Sequence, residues 1–337
     1  MRSIVAAGVA AAFLGSAAAA PAPPAPYQAR ARYLMGTRLV IEAEGGGDAA
    51  IEAAFREVAR LEQVLSNWRA DSEVSRLNAA AGRGAVDCSP DLFAAVGAAL
   101  GWAERTRGAF DPTVEPLVRR LGLRDPAERL PGVEAPEDAA GGDGDRAPVG
   151  WRLVRLGPGR DVRFTGPGVG LDFGGIGKGI ALDAAARVLV QHGALTARLD
   201  FGGQVLFAGR PPLDGWRLDL SDPSERHRAI EVVTVRGGSV STSGNQERSV
   251  AGPAGPLGHL LDPRTGRPAP FAGSVTVRAE DATSADALST ALFVMGPERG
   301  IPWAAREGID VLYLSRDGHG GLVRQGTGAF AVVEARR

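Results

Sequence analysis

The sequence predicts a mixed α+β fold, because apolar stripes at helical spacing alternate with short β-branched runs along the chain. Two observations sharpen this. A glycine-rich turn at 171–180 joins a short apolar segment to a helical stripe, and residues 195–242 hold five closely spaced candidate strands. At 337 residues the chain can bury a substantial core, as one large domain or two intimately packed ones. Strand order is not readable from periodicity, and a simple parallel doubly wound sheet is not expected.

Taken in order, residues 1–20 read as a secretory signal peptide: Arg2, an apolar run, then Ala18-Ala19-Ala20 before Pro21. No cysteine follows that run, so there is nothing to lipidate, and a soluble, exported, periplasmic product is expected. Residues 21–30 form an extended lead-in. The fold proper is expected over 31–333, beginning with an edge strand at 31–42 that Gly36 interrupts. Ile51, Phe55, Val58, Leu61 and Val64-Leu65 then make a helical core stripe over 48–65. Residues 66–78 switch to a polar, turn-rich register. Ser89-Pro90 is an N-cap and first-turn pair for a helix running to about Thr106. Residues 123–149, rich in Pro, Gly, Asp and Glu, read as a flexible surface insertion. The fold resumes near 151–154 and continues through 161–164 to the glycine-rich turn, and a helix is expected from Ile180 to near Gly193. Further strands follow at 195–200, 205–208, 216–220, 230–235, 239–242 and 274–277, with a glycine- and proline-rich loop at 247–258. A last apolar run at 283–296 suits a helix.

Composition excludes some functions. A formal charge of -1 gives no reason to propose nucleic-acid binding. With Cys88 alone, an intramolecular disulfide and a cysteine-based metal cluster are both ruled out.

The chemistry concentrates in Leu171-Asp172-Phe173-Gly174-Gly175-Ile176-Gly177-Lys178-Gly179-Ile180. Its glycines let backbone N–H groups approach an anion at a helix N-terminus, and Lys178 adds a mobile point charge. The stretch matches neither the dinucleotide-fold fingerprint nor an ordinary P-loop. Lys178 is the only lysine among 38 basic residues, so a compact ammonium stands where arginine is the default cation. Asp172 has three open readings: binding a ligand donor, holding a metal, or fixing the loop. Met35 beside Gly36 can wall a flat ring; Trp68 can stack on a heterocycle or simply pack. Ala109-Phe110-Asp111 sits beside a stiff turn and forms a plausible ligand rim. The hydroxyls of 241–243 can hold a phosphate or carbonyl, or belong to a solvated hairpin edge. His259 can transfer protons, orient a phosphate, or serve as a structural histidine. Asp286 and Thr290 fall four apart on one helix face, a spacing that can offer hard oxygens to Mg²⁺, or can simply be an acidic residue favouring the helix dipole and a threonine bonded locally.

In order and chemistry, the stretches 33–37, 72–78, 108–113, 171–180, 202–203, 241–244, 259–268 and 285–291 resemble the FAD:protein FMN transferase (ApbE) family. The resemblance covers roughly residues 31–333. It implies two closely joined mixed α/β lobes with the flavin and metal at their interface. It places Met35, Trp68, Ala109, Phe110, Asp111, Asp172, Lys178 and His259 around FAD. The Gly175 carbonyl, the Asp286 carboxylate and the Thr290 hydroxyl would form the protein part of a Mg²⁺ site, with His259 and Asp286 at the reacting end. The implied reaction moves the FMN portion of FAD onto a Thr or Ser of an exported redox-protein acceptor, itself membrane-associated in some systems, and releases AMP. Two other readings use the same residues: Mg²⁺-dependent hydrolysis of FAD to FMN and AMP, and a non-catalytic exported flavin-binding protein. The sequence departs from the family pattern at Trp68, where another aromatic is usual, at Asn245-Gln246, and in lacking the lipid-anchoring cysteine of many relatives.

Overall fold

The computed structural model describes residues 27–124, 147–225, 227–244, 249–252 and 255–330. The expected signal peptide, the lead-in up to 26, most of the 123–149 insertion and Asn245-Gln246 lie outside these residues.

Eight strands, numbered along the chain, build the main sheet: β1 (Tyr27–Leu34), β2 (Thr37–Gly45), β3 (Ala194–Phe201), β4 (Gln204–Gly209), β5 (Gly238–Gly244), β6 (Gly273–Ala279), β7 (Asp310–Arg316) and β8 (Leu322–Gly326). Their spatial order equals their chain order, and every neighbouring pair is antiparallel. The helices are insertions into this meander: α1 (Gly47–Leu65), α2 (Glu73–Ala79), α3 (Pro90–Arg105), α4 (Glu115–Arg120), α5 (Gly177–Gln191) and α6 (Ala282–Glu307).

The two largest hydrophobic cores share the sheet. One gathers Leu39 and Ile41 of β2, Leu199 and Phe201 of β3, Phe55 of α1 and Leu182 of α5. The other gathers Val275 and Val277 of β6, Tyr313 of β7, Phe293 of α6, Leu92 of α3, and Val162 from a small sheet of strands Ala85–Asp87, Asp161–Phe164 and Val154–Leu156. Ile180 touches both. The opposite face of β4 carries Val205 and Phe207, since side chains alternate along a strand. It is covered by a separate hairpin, Trp216–Ser221 with Ala229–Val235, whose Trp216 stacks on Phe207 at 5.2 Å.

Local signals account for the helix ends. Ser89 Oγ accepts the Leu92 N–H at 3.2 Å, and Pro90 opens α3. Asp281 accepts the Ser284 N–H at 2.7 Å at the start of α6. A second carboxylate, Asp183 of α5, accepts the Ala282 and Thr283 N–H groups at 2.8 and 2.9 Å, so α5 itself holds the N-terminus of α6. The two helices meet at Gly179, where a Cβ would lie 2.3 Å from the Ala282 carbonyl oxygen. The helical run extends to Glu307, beyond the expected 296, by restarting after a break at Gly296 (φ 69°) with Pro297 in the new first turn.

Several expectations need correcting. The single strand over 31–42 is a hairpin: Leu34 pairs with Thr37, and the chain reverses through Met35 (φ 46°) and Gly36 (φ 76°). Its first strand starts at Tyr27, inside the lead-in. The polar stretch 66–78 contains α2, which Ser72 caps by accepting the Ser75 N–H at 3.1 Å. The loop at 247–258 includes a paired hairpin, Ser249–Gly252 with Gly255–Gly258. Trp151–Leu153 is a short 3₁₀ turn that leads into the strand. Among the described residues no helix is long and apolar enough to cross a membrane.

Candidate functional site

A cleft of about 320 Å³ opens between the β1–β2 turn, the end of α1, the 109–114 segment, the glycine-rich turn and α6. Met35, Trp68, Ala109, Phe110, Asp111, Asp172, Gly175, Lys178, His259, Asp286 and Thr290, the full set of sequence candidates, line this one cleft.

Its floor is built from α5 and α6. Lys178, in the first turn of α5, places Nζ 3.8 Å from Asp286 Oδ1. The Asp286 side chain is 4% exposed, whereas that of Lys178 is 24% exposed and reaches the cleft. Asp286 Oδ2 accepts the Gly179 N–H at 3.0 Å. Burial pushes the Asp286 carboxyl above the ordinary carboxylate range, opposed by the Lys178 charge and the Gly179 N–H. One turn further along α6, Thr290 Oγ1 lies 3.5 Å from the Gly175 carbonyl oxygen. A Cβ on Gly175 would fall 2.9 Å from that hydroxyl. Among the described residues no three His, Cys, Asp or Glu side chains gather as a metal cluster. The oxygen set at the floor is therefore mixed: one carboxylate, one hydroxyl and one carbonyl.

The glycine-rich turn is held from behind. Asn67 and Asn78 both donate to the Leu171 carbonyl, at 2.7 and 2.9 Å, and Asn78 accepts the Leu171 N–H at 2.8 Å. The Asp172 N–H donates to the Pro112 carbonyl at 2.7 Å, and Asp172 Oδ1 accepts the Gly174 N–H at 2.6 Å. Of its three sequence readings, fixing the loop is the one these bonds support; the residue also lines the cleft.

The walls are of another kind. The Met35 N–H donates to Glu62 Oε1 at 3.0 Å, pinning the β1–β2 turn to α1, and Trp68 is 62% exposed at the mouth. Ala109 and Phe110 are buried, the latter donating its N–H to Thr106 Oγ1 at 3.1 Å. Asp111 has both oxygens engaged: Oδ1 accepts the Thr113 N–H and hydroxyl at 2.9 and 2.6 Å, and Oδ2 accepts the Trp151 N–H at 2.9 Å. Burial raises its carboxyl above the ordinary value, against the pull of those three bonds. His259 is half-buried in the wall beside Leu260 and Leu261.

Sequence reasoning missed several supporting residues. Asn67 and Asn78 act on a residue about a hundred positions away, which no local pattern reveals. Arg124 lines the cleft and lies 3.6 Å from Glu115, whose carboxyl burial pushes up and whose arginine neighbours pull down. The hydroxyls of 241–243 bond to other hydroxyls and are largely buried, so they do not form a solvated hairpin edge.

Known proteins are similar to this chain in sequence and fold. The ApbE family model matches residues 35–313. An FAD:protein FMN transferase of Treponema pallidum is 33% identical over 282 residues, covering 80% of this chain and 78% of that protein. The crystal structure of the ApbE protein of Thermotoga maritima superposes with a TM-score of 0.77 at 30% identity, covering 89% of this chain and 97% of its own. The flavin transferase ApbE of Vibrio cholerae gives 0.78 at 26% identity, with 91% and 99% covered. A family match over most of the length and a shared mixed α/β fold lead to one assignment: this chain belongs to the ApbE family of FAD:protein FMN transferases.

Proposed function

We propose that this protein transfers the FMN portion of FAD onto a Thr or Ser hydroxyl of a partner protein and releases AMP. The observation that carries this reading is the convergence of all eleven candidate residues on one cleft whose floor pairs Lys178 with a buried Asp286. In the reaction the acceptor oxygen bonds to the FMN-side phosphorus. The pyrophosphate P–O bond breaks, and AMP leaves with the bridging oxygen. Lys178 faces the charge that grows on the pyrophosphate, and the glycine-rich turn brings its N–H groups close. His259, on the cleft wall, takes the hydroxyl proton. Asp111 shapes the wall that meets the flavin nucleotide.

Asp286, Thr290 and the Gly175 carbonyl fit Mg²⁺ by the chemistry of the set. It is all hard oxygen with a single carboxylate, which leaves remaining positions to phosphate oxygens and water. When bound there, Mg²⁺ supplies Lewis-acid neutralisation of the pyrophosphate. With one oxygen bonded to Gly179 N–H and the other directed at cations, Asp286 suits ligation better than proton abstraction.

The acceptor is an exported redox protein carrying a Thr or Ser, membrane-associated in some cases, and the enzyme works in the periplasm. This placement rests on the signal-like composition of residues 1–20. The test is incubation with FAD, Mg²⁺ and a candidate acceptor, followed by intact-mass measurement. One FMN unit added per acceptor with matching AMP is the expected result. Free FMN and AMP with unlabelled acceptor means hydrolysis, and bound FAD without AMP means flavin storage; either rejects the transferase reading.

A further inference from the structure

Strand β5 meets α6 with serines where a buried strand face normally carries apolar side chains. Ser239, Ser241 and Ser243 alternate along β5 and so share a face; all three are buried, as is Ser289 on α6. Buried hydroxyls persist where they are hydrogen-bonded. Ser289 Oγ lies 3.0 Å from the Asp286 carbonyl oxygen, 3.1 Å from Ser241 Oγ and 2.9 Å from Ser243 Oγ. A carbonyl only accepts, so the single Ser289 proton goes to Asp286. The two lone pairs of Ser289 then receive the protons of Ser241 and Ser243. Ser243 also lines the cleft. With its own proton directed inward, only acceptor capacity is left on its oxygen.

We infer that Ser243 is a binding residue whose oxygen accepts a hydrogen bond from a hydroxyl of the reaction's substrates, an inference that rests on the flavin-transfer reading above. Pyrophosphate oxygens are ionised acceptors and are the wrong partner for it; they fall to Lys178 and the glycine-rich turn. Two sources share the required chemistry: the sugar-chain hydroxyls of FAD, and a hydroxyl of the acceptor protein other than the attacking one, whose single proton goes to His259.

Ser243→Ala deletes the acceptor atom. FAD affinity is read by flavin fluorescence titration, and acceptor KM by the rate of labelling. One of the two weakens by about three- to tenfold, the size of one neutral hydrogen bond. Weaker FAD binding at unchanged KM assigns the FAD hydroxyl, and raised KM at unchanged FAD affinity assigns the acceptor. Ser289→Ala separates ligand binding from mere fastening of α6 to β5. It breaks both serine–serine bonds yet leaves Ser243 Oγ in place, so its loss is the smaller of the two. Where Ser243→Ala does not fold, Ser243→Cys fills the space with a poor acceptor and carries the same expectation. Unchanged affinity and KM in the folded Ser243 variant, or a larger loss in Ser289→Ala, overturns the inference. Wild-type FAD binding in the same titrations leaves the flavin reading standing even then.

Discussion

Two buried carboxylates face the same cleft and have opposite surroundings. Asp111, on the wall, has both oxygens filled by three donors from its own chain. Asp286, on the floor, receives one backbone N–H and faces the Lys178 ammonium across 3.8 Å. Burial raises both carboxyls. A carboxylate saturated by N–H and O–H groups fastens local structure, here the segment after α3 to residues 150–151. A carboxylate opposed by a movable cation can exchange that cation for a ligand. Asp111 thus fastens the wall, and Asp286 is the carboxylate proposed to meet a ligand.

Breaking the floor gives the largest effect. Asp286→Asn keeps the shape and removes the charge, and Mg²⁺-dependent AMP release from FAD falls by about a hundredfold or more in folded samples. Thr290→Val, which removes one neutral oxygen, costs about tenfold in the same assay. Circular dichroism and a cooperative melt confirm that the loss is not unfolding. Lys178→Ala comes next, weakening FAD binding or transfer by about tenfold while leaving the fold intact. Lys178→Arg is also impaired, because a planar fork needs more room than an ammonium. Wild-type FAD titrations for both variants would remove Lys178 from the phosphate site.

Breaking the wall reads out as stability. Asp111→Asn turns an amide toward the Trp151 N–H and loses about 1–3 kcal/mol, with Mg²⁺ affinity retained. The sign of its pH dependence follows from the raised carboxyl. The folded state holds this proton more tightly than the unfolded chain, whose value is near 3.8. The contribution is complete below that value and is lost as pH rises through the folded one. The gap in Tm between wild type and variant is therefore widest in acid and narrows toward neutrality. A gap that widens with pH contradicts the assignment.

The floor was legible because its residues sit in short local patterns, the glycine run with a lone lysine and the i, i+4 pair on a helix, whereas Met35, Trp68, Ala109, Phe110, Asp111 and His259 were brought together only by the resemblance to the family. What the sequence hid was long-range. The Asn67 and Asn78 clamp on Leu171, Asp183 at the start of α6, and the serine row under Asp286 join elements far apart in the chain, and periodicity carries no trace of such bonds. The β1–β2 hairpin was hidden for another reason. Its turn places Met35 at positive φ, where Asn, Asp or Gly would have announced it. The order of the sheet was unreadable from alternation, although it proved to be the simplest available, a meander in chain order.

The most direct test of the floor is to soak crystals with FAD and Mn²⁺ and locate the metal by its anomalous scattering. The account predicts a peak bonded to Asp286, Thr290 Oγ1 and the Gly175 carbonyl, with the FAD pyrophosphate completing the shell and Lys178 turned to its oxygens. Ordered FAD in the cleft with the metal away from Asp286 would contradict it.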